Sequence, residues 1–289
     1  MCKDVVRRLQ DNINPVDKLS DTPAKVKPLR VESKQGKVLK TKIIGLDTLT
    51  GDKLFEEENQ IVLGGALFIL EKVFNVEAPI DVEYLNDIMG IATNDPIEEI
   101  YPKDTQVCLF GVGVGGCGDA SRSVVDVKYY EREIFDMIPF RITDDKLIGS
   151  EVDKYWFKRY EDDGKISYFL KSFEHEPEIK VLWKDGEEGE EGSEVATGVH
   201  NTTRTEPIET FVEMILKINK KDCREYFEIN GNIEAARVNS IGLFTGILST
   251  NEKGEPEYKQ VKLFSKLNIP NEMLVLSKDI TIVYRIYTS

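Results

Sequence analysis

Three glycines that follow an apolar stretch have the spacing of a dinucleotide-binding loop. Residues 105–110 predict a strand, and Gly111, Gly113 and Gly116 then satisfy the pattern G-x-G-x-x-G. Glu131 and Glu133 lie about 20 residues further on, where such a loop has an acid that binds the ribose. The chain after the third glycine decides whether this pattern is a cofactor site.

A pyrophosphate site needs a helix that opens at the third glycine, because the helix amides bind the phosphates. Residues 119–130 are β-branched and aromatic instead, and they have no 3.6-residue apolar period. We therefore interpret residues 111–118 as a glycine loop between two strands near an interface. A nucleotide-binding enzyme that uses this loop remains a remote alternative, and no cofactor is predicted.

Other catalytic patterns are missing from the sequence. There is no G-x-S-x-G nucleophile motif and no P-loop. His175 lies beside acidic residues, and His200 lies in a segment predicted to be a loop, so neither has the setting of a poised base. The four cysteines lack C-x-x-C spacing, which predicts free thiols and no zinc site. We predict no catalytic residue, no metal site and no enzyme.

An acidic, glycine-rich segment predicts a flexible insertion. Residues 185–194 contain six acids and three glycines, without the ligand spacing of an EF-hand. Like charges at this density repel one another and favour an extended loop. We predict that residues 185–204 form an exposed loop on a rim of the molecule.

Aromatic and basic residues lie together in one short segment that predicts an interaction surface. Tyr155, Trp156 and Phe157 precede Lys158 and Arg159. Such a mixture can stack single-stranded nucleic acid. It is also typical of a half-buried sheet or a subunit contact, where aromatic residues are enriched. We favour the second interpretation and take Tyr155, Trp156 and Phe157 as candidate interaction residues.

The charge of the chain is divided unequally. Residues 1–45 hold 11 basic and 5 acidic residues, a net charge of +6, whereas the remaining residues carry −20. Three prolines and few large apolar side chains predict an extended N-terminal arm. The arm could contact a phosphate backbone or the acidic surface of a neighbouring copy, and we favour the neighbouring copy. Its candidate contact residues are Lys25, Lys27, Arg30 and Lys34.

The sequence pattern of the remaining residues, 46–289, predicts a mainly β (α+β) body with few helices. Apolar residues at helical spacing predict a helix over 54–75, and a short helix is predicted over 81–91. Extended stretches are predicted at 134–142 and 210–218, a hairpin around Asp163-Gly164, and a helix over 221–229 that ends at Gly231. The longest apolar run, 61–70, is too short to span a bilayer, and the N-terminus lacks an apolar signal core, which predicts a cytoplasmic origin.

The C-terminal segment, 234–289, has the clearest strand pattern in the chain. Residues 236–244 are extended and apolar, and a turn-rich segment at 249–256 follows. Alternate residues from Val261 to Ile269 are then predicted to share one face, as are alternate residues from Ile280 to Ile286. Together these strands predict an antiparallel β-sandwich or jelly roll.

Three strings in this segment carry a resemblance to a protein family. They are residues 239–244 (NSIGLF), 262–267 (KLFSKL) and 280–287 (ITIVYRIY). This succession resembles a C-terminal pattern of tailed-bacteriophage virion proteins of the neck, collar and tail-fibre-attachment type. The resemblance covers about the last fifth of the chain and contains no catalytic residue.

The resemblance implies a structural subunit of a virion that is made in the host cytoplasm. We expect a neck or collar ring component near the head–tail junction, and a fibre-attachment or host-recognition module is the alternative. The implied partners are copies of the chain and other virion proteins, such as portal, head–tail connector or fibre proteins. A membrane is not expected, and nucleic acid is expected only through the basic arm.

Overall fold

The computed structural model describes residues 39–74, 84–91, 104–118, 123–183, 194–195, 207–231, 236–251, 253–270 and 276–288. Residues Val38–Ser289 form one compact unit. The arm residues Lys25, Lys27, Arg30 and Lys34 lie outside the described residues. The predicted boundary at residue 45 needs correction, because residues 39–45 form part of the first strand of the body.

The described residues form fourteen strands and three α-helices. The strands are β1 Leu39–Asp47, β2 Lys53–Glu57, β3 Gln60–Ile61, β4 Gln106–Gly113, β5 Met137–Ile138, β6 Arg141–Thr143, β7 Tyr155–Tyr160, β8 Ile166–Ser172, β9 Glu178–Trp183, β10 Glu194–Val195, β11 Pro207–Ile218, β12 Ser240–Thr250, β13 Pro256–Asn268 and β14 Ile280–Thr288. The helices are α1 Leu63–Phe74, α2 Leu85–Ile88 and α3 Arg224–Ile229, and a 3-10 turn spans Gly149–Glu151.

The strands form two antiparallel sheets. Sheet A has the order β10-β9-β11-β14-β1-β2. Sheet B has the order β3-β13-β12-β4-β8-β6, and in addition β5 pairs with β4 and β7 pairs with β8. The two sheets pack as a β-sandwich-like α+β fold, which confirms the predicted fold class.

The main core lies between the two sheets. Sheet A contributes alternate residues of β11 and β14, including Leu216, Ile282 and Tyr284, and sheet B contributes residues such as Phe110 and Leu243. A hydrogen bond crosses this core, from Tyr284 Oη to Ser265 Oγ at 2.7 Å. Because β14 alternates buried and partly exposed residues, its predicted inner face is confirmed.

A second apolar layer covers the outer face of sheet B. It contains Ile134, Phe169, Phe244 and Leu263, with Leu85 of α2. Strand β13 is therefore buried on both faces, since its residues 261–269 are all buried. Strand residues of sheet B form one side of this layer, and Ile134, which precedes β5, and Leu85 of α2 pack against them, so sheet B lies between the core and this layer.

The predicted single face of β13 is wrong. Val261 and Leu263 pack in the outer layer, whereas Leu267 and Ile269 pack in the core between the sheets. The pairing of β12 with β13 shifts register between Leu243 and Phe244. This β-bulge moves the following residues to the other side of the strand, which simple alternation does not anticipate.

Several predicted elements are confirmed, and some have different bounds. Helix α1 begins at Leu63, because residues 53–57 form β2. The Asp163-Gly164 hairpin joins β7 to β8, and Gly164 has a φ of 87°. Helix α3 is followed by Gly231 at a φ of 67°, as predicted for a helix C-terminus. Residues 194–195 form β10, so the predicted loop 185–204 contains a short strand, and its other residues lie outside the described ranges.

Candidate functional site

The predicted aromatic interaction residues are buried in the chain itself. Tyr155, Trp156 and Phe157 are 1%, 6% and 6% exposed. Tyr155 packs in the core between the sheets, and Trp156 and Phe157 both pack in the outer layer of sheet B. Phe157 has a φ of 60°, which accounts for two consecutive side chains in the same layer. These side chains leave little surface for a partner.

The basic residues beside them are also occupied by contacts within the chain. The guanidinium of Arg159 lies 4.7 Å from the centre of the Phe169 ring, and its Nε donates to Glu161 at 3.0 Å. Lys158 lies 4.0 Å from Glu255. Trp156 makes an edge-to-face contact with Tyr258 at 4.8 Å. The segment thus joins β7 to the β12–β13 hairpin.

Close packing requires glycine at several positions of the segment 111–118. Gly111 and Gly113 belong to β4, and the Gly116 amide donates to Asn239 Oδ1 at 2.6 Å. A Cβ at Gly116 would lie 2.0 Å from the Asn239 carbonyl oxygen, and one at Gly113 would lie 2.4 Å from the Phe135 carbonyl oxygen. Backbone therefore passes directly over Gly113 and Gly116, which only a residue without a side chain allows, whereas side chains crowd Gly111.

The dinucleotide motif lacks its helix in the described part of this region. Residues 116–118 and 123–148 contain no helix, and the chain instead returns on itself through a bridge between Cys117 and Val124. Val125 N donates to the Gly116 carbonyl at 2.9 Å. The geometry supports the interpretation of a connecting loop and offers no helix N-terminus to a phosphate there.

A buried lysine lies beneath the segment that follows the glycine loop. Lys266 of β13 is 0% exposed, and its Nζ lies 3.7 Å from Glu131 Oε2 and 3.0 Å from the centre of the Phe135 ring. Among the described residues, this Nζ has no hydrogen-bond acceptor. Burial lowers the pKa of Lys266 to about 8, against the opposing influence of Glu131. Glu131, which has the spacing of a ribose-binding acid, thus pairs with an interior cation.

A buried, hydrogen-bonded polar cluster connects the ends of the two sheets. Lys171 of β8 donates from Nζ to Asp222 Oδ2 at 2.6 Å and to the Lys217 carbonyl at 2.7 Å. Tyr155 Oη donates to Asp222 Oδ1 at 2.6 Å, and the Asn219 amide donates to Asp222 Oδ2 at 2.8 Å. Each carboxylate oxygen therefore accepts at least one strong hydrogen bond.

Burial dominates the electrostatics of this cluster. Desolvation lowers the pKa of Lys171 despite its partner Asp222. Desolvation also raises the pKa of the Tyr155 hydroxyl and that of the adjacent Cys223 thiol. A thiol whose pKa is raised is a poor nucleophile at neutral pH. The arrangement stabilises the β8–β11 junction and has the character of a structural ion pair.

A second ionic group lies beside the first. Arg141 of β6 donates from Nη1 to Glu151 at 2.9 Å and from Nε to Glu225 of α3 at 3.2 Å. Lys221 also donates to Glu151, at 2.5 Å. These contacts fix α3 and the 3-10 turn against the end of sheet B.

Within the described ranges, no group of three or more His, Cys, Asp or Glu side chains has the geometry to bind a metal ion. Among the described residues, Cys108, Cys117 and Cys223 form no disulfide, and Cys2 lies outside the described ranges. His175 is exposed, and His200 lies outside the described residues. None of the described helices is both long and apolar enough to cross a membrane.

Sequence reasoning missed the buried Lys171–Asp222 pair and the buried Lys266. When a lysine stands next to apolar residues in a predicted strand, period-two alternation assigns it to the solvent-exposed face. The one signal of this burial in the sequence was the segment 134–142, because its apolar residues must pack against a sheet. Phe135 of that segment lies against Lys266 Nζ, and Ile134 packs in the outer layer, whereas Ile138 and Phe140 pack in the core between the sheets.

Comparison with known proteins gives no match: no protein-family model, no curated protein and no solved structure matches this chain.

Proposed function

We propose that the chain is a structural subunit of a tailed-phage virion, in a neck or collar ring near the head–tail junction. In this proposal it acts by packing against copies of itself and against other virion proteins. The division of charge carries the proposal, since residues 1–45 have a net charge of +6 and the remaining residues −20. A basic segment and an acidic body in one chain are complementary between neighbouring copies.

The character of the polar clusters supports an assembly role. The Lys171–Asp222 pair is closed by Tyr155 and by backbone groups, and Arg141 is held between two glutamates. Such networks fix the relative positions of strands and helices. A subunit whose surfaces must match those of its neighbours benefits from a rigid body of this kind.

The assignment to a virion rests on the resemblance of the C-terminal strings. These strings lie on β12, β13 and β14, and the first two strands are adjacent in sheet B whereas β14 lies near the middle of sheet A. The pattern therefore belongs to central strands of both sheets. A fibre-attachment or host-recognition module is the second candidate on the same resemblance.

The experiment removes the basic segment and measures assembly. A chain lacking residues 1–30 is expected to keep the melting temperature of the body and to lose self-association in sedimentation velocity. The full chain is expected to associate less as salt rises from 50 to 500 mM, because charge attraction is screened. Unchanged association of the truncated chain would count against the proposal.

A charge-matched control distinguishes an effect of the arm from an effect of the total charge of the chain. The test variant replaces Lys25, Lys27, Arg30 and Lys34 by Gln, and the control replaces four exposed body lysines, Lys128, Lys154, Lys220 and Lys253. Association is expected to decrease only in the arm variant.

For the host-recognition candidate, deletion of residues 185–193 would abolish adsorption while particles still form.

A further inference from the structure

An irregular segment, residues 126–133, lies over strand β13 between two points where the chain is held. Before it, Val125 N donates to the Gly116 carbonyl oxygen at 2.9 Å. After it, Ile134 is 1% exposed and packs in the outer apolar layer. Of the eight residues between these points, six are exposed, two are half-buried and none is buried. Because few buried contacts mark the parts of a fold that open first, this segment is weakly held.

The middle of the segment touches two other elements. Leu63 N, at the start of α1, donates to the Tyr129 carbonyl oxygen at 2.7 Å, and Glu131 Oε2 lies 3.7 Å from Lys266 Nζ of β13. Val127 packs, partly buried, against the outer layer. The side chains at the tip add little burial, since Tyr129 and Tyr130 are 51% and 70% exposed. The ion pair with Lys266 is therefore a main tie between the segment and sheet B.

The polar face beneath the segment is buried without the partners that it needs. Lys266 Nζ, Asn268 Oδ1 and Ser240 Oγ have no hydrogen-bond partner among the described residues. They share one face of sheet B, because Ser240 pairs with Asn268, and Asn268 is two residues from Lys266 along β13. Burial of unpaired polar groups is unfavourable, and most of all for a charged amine.

The other buried lysine of the chain shows what this amine lacks. Lys171 is 2% exposed, and its Nζ donates to Asp222 at 2.6 Å and to the Lys217 carbonyl at 2.7 Å. Lys266 is 0% exposed, and its nearest carboxylate oxygen, on Glu131, lies beyond hydrogen-bonding distance. Contact with water would thus improve the surroundings of the Lys266 amine, whereas Lys171 already has its partners.

We propose that residues 126–133 form a strap that opens locally from sheet B while the two sheets stay folded, and that the buried ammonium group of Lys266 drives this opening. The ends of the strap stay attached at Val125 and Ile134. Opening removes Glu131 from the amine and admits water on that side. This inference goes beyond the proposed function and does not depend on it.

The charges around the amine give the opening a pH dependence. Glu131 and Glu133, the carboxylates that raise the proton affinity of the amine, both belong to the strap. Gly242 and Gln60, which pair with Lys266 from the two flanking strands, carry no charge. Burial outweighs the two acids and lowers the pKa of Lys266 to about 8, against 10.5 for an exposed lysine. Opening therefore takes up protons between these values and is favoured as the pH falls from 10.5 to 8.

Amine acylation followed by mass spectrometry tests the opening in the wild-type chain. Lys266 is expected to react at a rate that changes little with low concentrations of urea, because local opening exposes little surface. Lys171 is the matched control, and we expect it to react at least about tenfold more slowly, at a rate that rises with urea. The same urea dependence at both lysines would overturn the proposal, since both would then react only through global unfolding.

A substitution tests the role of the charge. Trypsin cleaves after lysine and arginine, and the strap contains Lys128 and Arg132. In Lys266→Met, cleavage at these two sites is expected to slow at least about tenfold at neutral pH, because each unit of pKa difference changes the opening equilibrium about tenfold. Lys165→Met, at a lysine paired on the surface, is the control and is expected to leave cleavage unchanged. Equal cleavage in Lys266→Met and the wild type would overturn the role of the amine.

These results are distinguishable from those that test the proposed function. Acylation and cleavage are measured on the dilute chain, so they do not require self-association. Matching urea dependence at Lys266 and Lys171 would overturn the strap and leave the assembly role intact. Loss of the assembly role in the arm experiment would leave the expected labelling of Lys266 unchanged.

Discussion

Lys171 Nζ lies 2.6 Å from Asp222 Oδ2, and both side chains are almost completely buried, although the residues are 51 positions apart in the chain. Lys171 belongs to β8 of sheet B, and Asp222 lies between β11 of sheet A and α3. The ion pair therefore ties the end of one sheet to the loop that leaves the other. Because Tyr155 and two backbone groups complete its hydrogen bonds, the pair is satisfied without solvent.

Breaking this pair on one side is expected to destabilise the fold strongly. Lys171→Met leaves the Asp222 carboxylate buried without its cation, which costs about 3–5 kcal/mol of unfolding free energy. Urea denaturation measures the change. Lys165→Met is the control, since Lys165 pairs with Asp163 at 2.8 Å on the surface, and such pairs contribute about 0–1 kcal/mol. Similar losses in the two variants would contradict the structural role of Lys171.

The buried amine of Lys266 predicts a pH dependence of stability. Its pKa is about 8 in the folded chain, against 10.5 for an unperturbed lysine. Between these values the unfolded state binds more protons, so the contribution of this group to stability rises with pH. That contribution is present above pH 10.5 and is lost as the pH decreases through 8.

The measurement compares the wild-type chain with Lys266→Met between pH 7 and 9. Other groups titrate nearby, and the raised pKa values of Cys108 and the buried tyrosines act in the opposite direction at higher pH. The difference between the two unfolding free energies isolates Lys266. We expect the stability of the wild-type chain relative to the methionine variant to increase as the pH rises above 8, since the wild-type amine then loses its buried charge. A difference that is constant with pH would show that Lys266 is not desolvated as described.

Local pattern predicts much of this fold because the relevant forces act within a strand. Alternation identified the inner face of β14, and the Asp163-Gly164 turn identified the β7–β8 hairpin. The bulge in β13 escaped prediction, because one extra residue moves the strand's side chains to the other face without altering composition. The burial of Lys171 and Lys266 could not be predicted either, since it depends on covering segments that are distant in the sequence.

The glycine loop gives a prediction that distinguishes packing from cofactor binding. Gly116→Ala places a Cβ about 2 Å from the Asn239 carbonyl oxygen, and backbone must move to accept it. Overpacking of this kind costs about 1–3 kcal/mol. Gly246→Ala is the control, because its Cβ would approach only the Tyr258 ring at 3.2 Å. We expect urea denaturation to show the larger loss at Gly116, and a larger loss at Gly246 would contradict the packing account.

The hydrogen bond between the sheets gives a further test. Tyr284 Oη of sheet A donates to Ser265 Oγ of sheet B at 2.7 Å and accepts from the Asn59 side-chain amide. Tyr284→Phe keeps the ring in the core and removes only the hydroxyl, which leaves Asn59 and Ser265 without this partner. Unpaired buried polar groups cost about 1–3 kcal/mol, so the unfolding free energy is expected to decrease by that amount. Tyr160→Phe, at a tyrosine that is 62% exposed, is expected to change it by less than about 0.5 kcal/mol. If Tyr284→Phe unfolds at the same urea concentration as the wild type, the hydroxyl does not contribute to holding the two sheets together.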